Sequence, residues 1–213
     1  MKILGISGSP RPGATTERLV QQVLAGADVE TEFLSLAGRR IGPCIACLGC
    51  VETNVCVLPD DLQELRPRIV EADAYVIGGP NYYGCLNGLT HCFLERWYQF
   101  RHQDGDAVKG KLGVAVGVGG GQPQPPADDI QRFYQYNQIE CVGMVAAQGP
   151  ACCFSCGYGE SCEVGAIHMF FGPGTKITPE ITPDLDKQPE AIEHAGELGA
   201  ALSDRLKQFA RGT

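Results

Sequence analysis

Apolar residues run unbroken through several short stretches of this chain and recur every three or four positions in the stretches between them. Lys2 to Ser7 is apolar and β-like, and it enters "SGSPRPGATT", a loop of Gly, Pro, Ser and Thr. Leu19, Val20, Val23 and Leu24 then repeat at helical spacing, with Thr15 or Thr16 as the expected N-cap. "VETEFLSL" alternates as a second strand. Asp60 with Gln63 three residues on has the form of a capping box. Leu62, Leu65, Ile69 and Val70 supply the apolar face of the helix that follows, which Pro67 should kink or shorten. "AYVIGGP" predicts a third strand, "LTHCFLERWYQF" a third helix, "KLGVAVGVGG" a fourth strand, "DDIQRFYQYNQI" a fourth helix and "CVGMVAAQG" a fifth strand. Beyond a Pro-rich linker, Ala191, Ile192, Ala195, Leu198, Leu202, Leu206 and Phe209 mark a terminal helix.

Strands that are apolar throughout and alternate with helices must be covered on both faces. The pattern therefore predicts an α/β fold: a doubly wound, five-stranded parallel sheet with helices on both faces, in one domain over residues 1–213, with a cysteine-rich insertion after strand two. In such sheets ligands sit beyond the carboxyl ends of the strands, at the switch point beside strand one.

The 213 residues, 44% of them hydrophobic, are enough for one substantial core. A net charge of −8 without clustered Lys or Arg excludes a nucleic-acid surface, which leaves small molecules or proteins as partners. The apolar run in "MKILGISGSP" is too short for a secretory or membrane segment, so the expected location is the cytoplasm, with no membrane partner. Eleven cysteines in that compartment point to metal or catalysis rather than to disulfides.

"GSPRPGAT" superficially fits the frame of a triphosphate-binding loop, but Ala14 stands where the lysine belongs, and "GISG" has the wrong spacing for the dinucleotide fingerprint. What remains is a polar turn at a helix N-terminus. Its free N–H groups, with Ser7, Ser9, Arg11, Thr15 and Thr16, suit an anion such as a monophosphate; the alternative is a solvated turn with no ligand. Cys44, Cys47, Cys50 and Cys56 read C-x2-C-x2-C-x5-C. Zinc sites usually pair two separated C-x2-C knuckles, whereas runs this compact wrap a cubane iron–sulfur cluster. Zinc and unligated redox-active thiols are the alternatives. Cys153, Cys156 and Cys162 repeat the x2 and x5 spacing within a second cysteine stretch, 151–163. Completed by Cys152 or a distant thiol, they offer a second metal site; the alternative is packing, the reading also given to Cys85, Cys92 and Cys141. The four histidines show no ligand spacing, and Asp60/Asp61 and Asp128/Asp129 read as helix starts, so hydrolytic chemistry has no support.

"KILGISGSPRPGATT" resembles the phosphate loop of the NADPH-dependent FMN reductase family, and "GGPNYYGCLNGLTHCFLER" is similar to its second flavin loop and the helix after it. With the cysteine run at 43–58 and the following "VLPDDL", the chain resembles the iron–sulfur flavoproteins of that flavodoxin-like family. The resemblance implies FMN and a [4Fe-4S] cluster, with the cluster on the four cysteines. It assigns flavin contact to Pro80, Asn81, Tyr82, Tyr83 and Gly84, and to a third loop near Gly119 and Gly120. That third loop departs from the family in carrying Gln122, Gln124 and three prolines. The implied function is an oxidoreductase taking single electrons from a ferredoxin-like donor and delivering them to a small acceptor: quinone, oxygen or peroxide. An NAD(P)H-dependent FMN or quinone reductase without a functional cluster is one alternative, and a non-enzymatic electron carrier is another. A homo-oligomer, dimer or tetramer, is expected, because the cysteine loop should project from the sheet edge.

Overall fold

The computed structural model describes residues 1–103 and 105–212. Five parallel strands, β1 (Lys2–Ser7), β2 (Glu30–Ser35), β3 (Ala74–Tyr82), β5 (Leu112–Gly119) and β6 (Glu140–Gln148), stand in the order β2-β1-β3-β5-β6. A two-residue strand, β4 (Cys85–Leu86), folds back antiparallel on the end of β3. The order reverses at β1, so the loops after β1 and β3 face each other across the switch point.

Alternate residues of each inner strand enter different cores, which is why these strands read as unbroken apolar runs. Ile3, Ala74, Val76, Val114 and Val116 pack against α1 (Thr15–Ala25) and α6 (Pro189–Gly212). Leu4, Ile6, Tyr75, Ile77 and Ala115 pack against α2 (Leu62–Glu71), α3 (Gly88–Glu95) and α4 (Gln124–Tyr136). On the second face Trp97 is buried at the centre of Tyr75, Phe93, Phe100 and Phe133, all edge-on at centroid distances of 5.0 to 5.7 Å.

Four local expectations are corrected. Helix α1 starts at Thr15 after Ala14, and neither threonine hydroxyl caps it. Asp60 does not form a box with Gln63, because its carboxylate is held by Arg96. The third helix ends at Glu95 and continues as a 3-10 turn, Arg96–Phe100. Helix α4 begins four residues earlier than the pattern suggests, because Pro125 and Pro126 fall in its first turn, where a missing N–H costs nothing. Pro67 lies inside α2, which is ten residues long.

Helices α1 and α6 cross at small residues. A Cβ at Gly199 would run into the carbonyl of Val23, whereas one at Gly196 meets nothing within 4 Å. Gly196→Ala should therefore stabilise the fold by up to about 1 kcal/mol through helix propensity. Gly199→Ala, three residues away, should destabilise it by about 1–3 kcal/mol through overpacking. Thermal unfolding of the two variants checks the opposite signs.

Candidate functional site

The loop after β1 is fixed from behind. Gly8 N–H donates to Gly78 O at 2.7 Å, and Gly8 O accepts from Asn87 Nδ2 at 2.9 Å and Thr90 Oγ1 at 3.2 Å. Ser9 Oγ accepts from Arg11 N at 3.1 Å, and Arg11 Nη2 reaches Pro150 O at 3.1 Å, tying this loop to the chain beyond β6. The loop after β3 turns at Tyr83 and Gly84, both left-handed (φ 57° and 82°), and Gly84 N–H donates to Asn81 Oδ1 at 2.8 Å. Tyr83 is fully exposed and Tyr82 nearly half so. Asn81 Nδ2 donates to Gln122 O at 2.5 Å, which joins the second loop to the third.

These three loops and the chain after β6 enclose a cavity of about 470 Å3. It collects Ser9, Arg11, Thr15, Thr16, Pro80, Asn81, Tyr82, Tyr83, Gly119 and Gly120. Ser7 and Gly84 lie beside it without lining it. Ser7 Oγ is buried and has no partner among the described residues. Thr15 and Thr16 are buried at the cavity wall, where α1 presents its unpaired first N–H groups. Among the described residues, Arg11 is the one charged side chain lining the cavity. A hollow with an anion-ready loop at one end and tyrosines on a turn at the other suits a phosphorylated, flat-ringed cofactor. The sequence reading missed the fourth wall: Gly149, Pro150, Ala151, Cys152 and Ser155. The carboxyl end of the last parallel strand was the available signal.

The cysteine loop docks on the other side of α3. Cys44 N–H donates to Glu95 Oε2 at 3.1 Å and Cys56 N–H to Gln99 Oε1 at 3.0 Å, so one turn of α3 and its 3-10 extension hold both ends. Between them Arg96, 1% exposed, points one edge of its guanidinium at Cys56 Sγ (Nε 3.2 Å, Nη2 3.1 Å) and the other at the Asp60 carboxylate; Nη1 also donates to Gly42 O at 3.1 Å. Ala46, Leu48 and Asn54 adopt left-handed backbone (φ 52°, 58° and 52°), the kind of reversal that turns peptide N–H groups inward around anionic sulfur. Burial pushes the Cys50 thiol up, and the neighbouring Cys56, Cys44 and Cys47 push it further. All eleven cysteines are free, and none of these four lines the cavity. Among the described residues no three His, Cys, Asp or Glu side chains already stand close enough together to hold a metal ion. The donor set, four thiols on one anchored loop, fits a thiolate-ligated centre. Cys85 is exposed, so it is not a packing residue.

The model of the NADPH-dependent FMN reductase family matches residues 1–147. The chain belongs to this family. It is 35% identical over 153 residues to an iron–sulfur flavoprotein of Methanocaldococcus jannaschii, covering 70% of this chain and 78% of that one. It is 31% identical over 148 residues to an iron–sulfur flavoprotein of Methanosarcina thermophila, covering 68% and 76%. Among solved structures, the Trp repressor binding protein of Bacillus subtilis superposes with a TM-score of 0.59 at 20% identity, over 92% of this chain and 98% of that one. An archaeal flavodoxin gives 0.54 at 13% identity, over 97% and 99%. These two share the flavodoxin-like fold. As a family member the chain is an FMN-dependent oxidoreductase, and among the described residues no helix is long and apolar enough to cross a membrane.

Proposed function

We propose that the chain is a cytoplasmic, single-domain iron–sulfur flavoprotein that receives electrons from a ferredoxin-like donor or NAD(P)H and passes them to a small acceptor: quinone, oxygen or peroxide. The observation that carries this reading is the cavity, which joins the two loops of flavin-binding type in one hollow. Bound FMN exchanges one or two electrons and a [4Fe-4S] cluster one, so together they link single-electron donors to two-electron acceptors.

The residues divide the work. Ser9, Thr15, Thr16 and the first N–H groups of α1 bind the cofactor phosphate, Arg11 neutralises it, and Ser7 backs the loop. Pro80, Asn81, Tyr82, Tyr83 and Gly84 hold the ring, with Gly119 and Gly120 at its edge. Cys44, Cys47, Cys50 and Cys56 hold the cluster, and the names of the archaeal relatives support that assignment. Glu95, Arg96 and Gln99 keep the loop in place. Because the four thiols lie off the cavity, a partner subunit of a dimer or tetramer would carry its cysteine loop to this flavin site.

Anaerobic purification with iron, acid-labile sulfide and flavin analysis tests the reading. About four irons and four sulfides per FMN are expected. Flavin without iron would overturn the cluster and leave direct reduction by NAD(P)H, the second reading, which the family's NADPH dependence favours. Rapid anaerobic bleaching by NADPH, undiminished in Cys47→Ser, would identify that route.

A further inference from the structure

Residues 150–184 lie beyond the span that the family model matches, and they have almost no interior of their own. Ile167 is the one buried side chain among them, while Tyr158, Val164, Met169, Phe170 and Phe171 are exposed and the segment's helix, α5 (Ala166–Phe171), has six residues. Its apolar contacts are few, among them Phe154 on Phe171 and Phe170 beside Gly121, and small units with so little buried surface commonly add disulfides or metal. All its cysteines are free thiols.

Two of those thiols meet at one short stretch of backbone, and a third contacts the carbonyl of one of them. Cys153 Sγ accepts the N–H of Ala166 at 3.2 Å. A Cβ at Gly165 would stand 3.3 Å from Cys162 Sγ, so the sulfurs of Cys153 and Cys162 approach the same Gly165–Ala166 peptide, and the missing side chain lets one of them in. Cys156 Sγ accepts the N–H of Tyr158 at 3.4 Å and lies 3.7 Å from Cys153 O. Peptide N–H groups aimed at sulfur are the outer contacts that orient cysteine ligands around a metal. The spacing of these three cysteines, x2 then x5, repeats that of Cys47, Cys50 and Cys56.

We propose that Cys153, Cys156 and Cys162 hold a second thiolate-ligated metal centre, a zinc ion or an iron–sulfur cluster, that orders residues 150–184. The fourth position is within the same segment, from Cys152 or His168. Like the first cysteine loop, the segment brings no three of these side chains together in advance, and its partly exposed thiols are free to turn inward when metal binds. Because Ala151, Cys152 and Ser155 form a wall of the flavin cavity, the centre also braces that wall.

The test compares the anaerobically purified wild type with Cys44→Ser/Cys47→Ser and Cys156→Ser/Cys162→Ser. Zinc, iron and sulfide per chain are measured alongside FMN. The first variant should keep, and the second lose, about one zinc or about four irons with sulfide, and this difference identifies the metal. Cys152→Ser and His168→Ala assign the fourth ligand by whichever lowers the same count. In the native wild type, iodoacetamide mapping should find Cys153, Cys156 and Cys162 alkylated at least tenfold more slowly before chelation than after it. This measurement stands even where a variant fails to fold. Unchanged metal in Cys156→Ser/Cys162→Ser, or alkylation of Cys156 in native protein at the rate of a free thiol, would overturn the proposal. Neither outcome depends on whether Cys44, Cys47, Cys50 and Cys56 carry a cluster.

Discussion

Arg96→Met should lower the free energy of unfolding by about 3–5 kcal/mol, the cost of stranding a buried charge. The Arg96 side chain is 1% exposed and that of Asp60 17%, so the guanidinium has no access to water and the carboxylate only a little. The same fork also secures Gly42 O and Cys56 Sγ, and with it both ends of the cysteine loop. Arg96→Met leaves the carboxylate without its cation, with only the Gly42 and Leu62 N–H groups on it, so Asp60→Asn/Arg96→Met should recover part of the loss. Arg96→Lys, which keeps the charge but loses the planar fork, should fall between wild type and Arg96→Met. Denaturant unfolding of the four proteins makes the comparison; an Arg96→Met as stable as wild type would remove Arg96 from this role.

The pair also predicts a pH dependence. Burial works against the Asp60 charge, yet hydrogen bonds from Arg96 and from the N–H groups of Gly42 and Leu62 hold its carboxyl below the usual range. A carboxyl lowered in the folded state contributes stability that is present above its unfolded value, about 4, and lost as pH falls through the folded value. The acid limb of the stability curve should therefore be steeper in wild type than in Asp60→Asn. Iron retention should fall in Arg96→Met if the loop holds a cluster, since Cys56 Sγ loses both guanidinium contacts there.

What could be seen in the sequence was what local pattern controls. The inner strands are apolar at every position because both faces are covered, so Ile3 and Leu4, one pointing into each core, already declared a parallel sheet. The Gly/Pro/Ser/Thr loop and the Pro-Asn-Tyr-Tyr-Gly turn announced two walls of the cavity for the same local reason. Arg96 was hidden because its partners, Cys56 and Asp60, are 40 and 36 residues away. The remaining sign was phase: Arg96 falls on the same side of its helix as Phe93 and Phe100, where a charge requires a buried partner. The Asp60/Gln63 box failed for the same reason, a long-range pairing overriding a local motif, although Asp60 Oδ1 still accepts the N–H of Leu62 at the start of α2. The wall formed by Cys152 and Ser155 comes from a segment with little periodicity, so only the position after the last parallel strand pointed to it.

Thr15→Val/Thr16→Val should weaken FMN binding by about 100-fold or more while leaving the cofactor-free protein as stable as before. Thr15 is 6% exposed and Thr16 2%, and their hydroxyls make no hydrogen bond among the described residues. Both residues line the cavity and neither hydroxyl is a buried, unpartnered atom, so without cofactor each can meet water, and a valine of nearly the same shape removes no bond within the protein. Once a phosphate sits over α1, each hydroxyl donates to a charged acceptor, worth about 1.5–3 kcal/mol, and two such losses multiply to the stated factor. Ser9 is a poorer probe, because its hydroxyl already serves Arg11 N and its removal would also loosen the turn. Arg11→Ala gives the contrast. It acts through charge at an exposed site, so its effect on affinity should shrink as salt rises from 0.05 to 0.5 M (about 14 to about 4 Å of screening length), whereas the threonine effect should hold. Equilibrium titration of FMN fluorescence at both salt concentrations separates the two. An unchanged affinity in the double valine variant would place the phosphate away from the α1 N-terminus and, with it, the proposed orientation of the cofactor in the cavity.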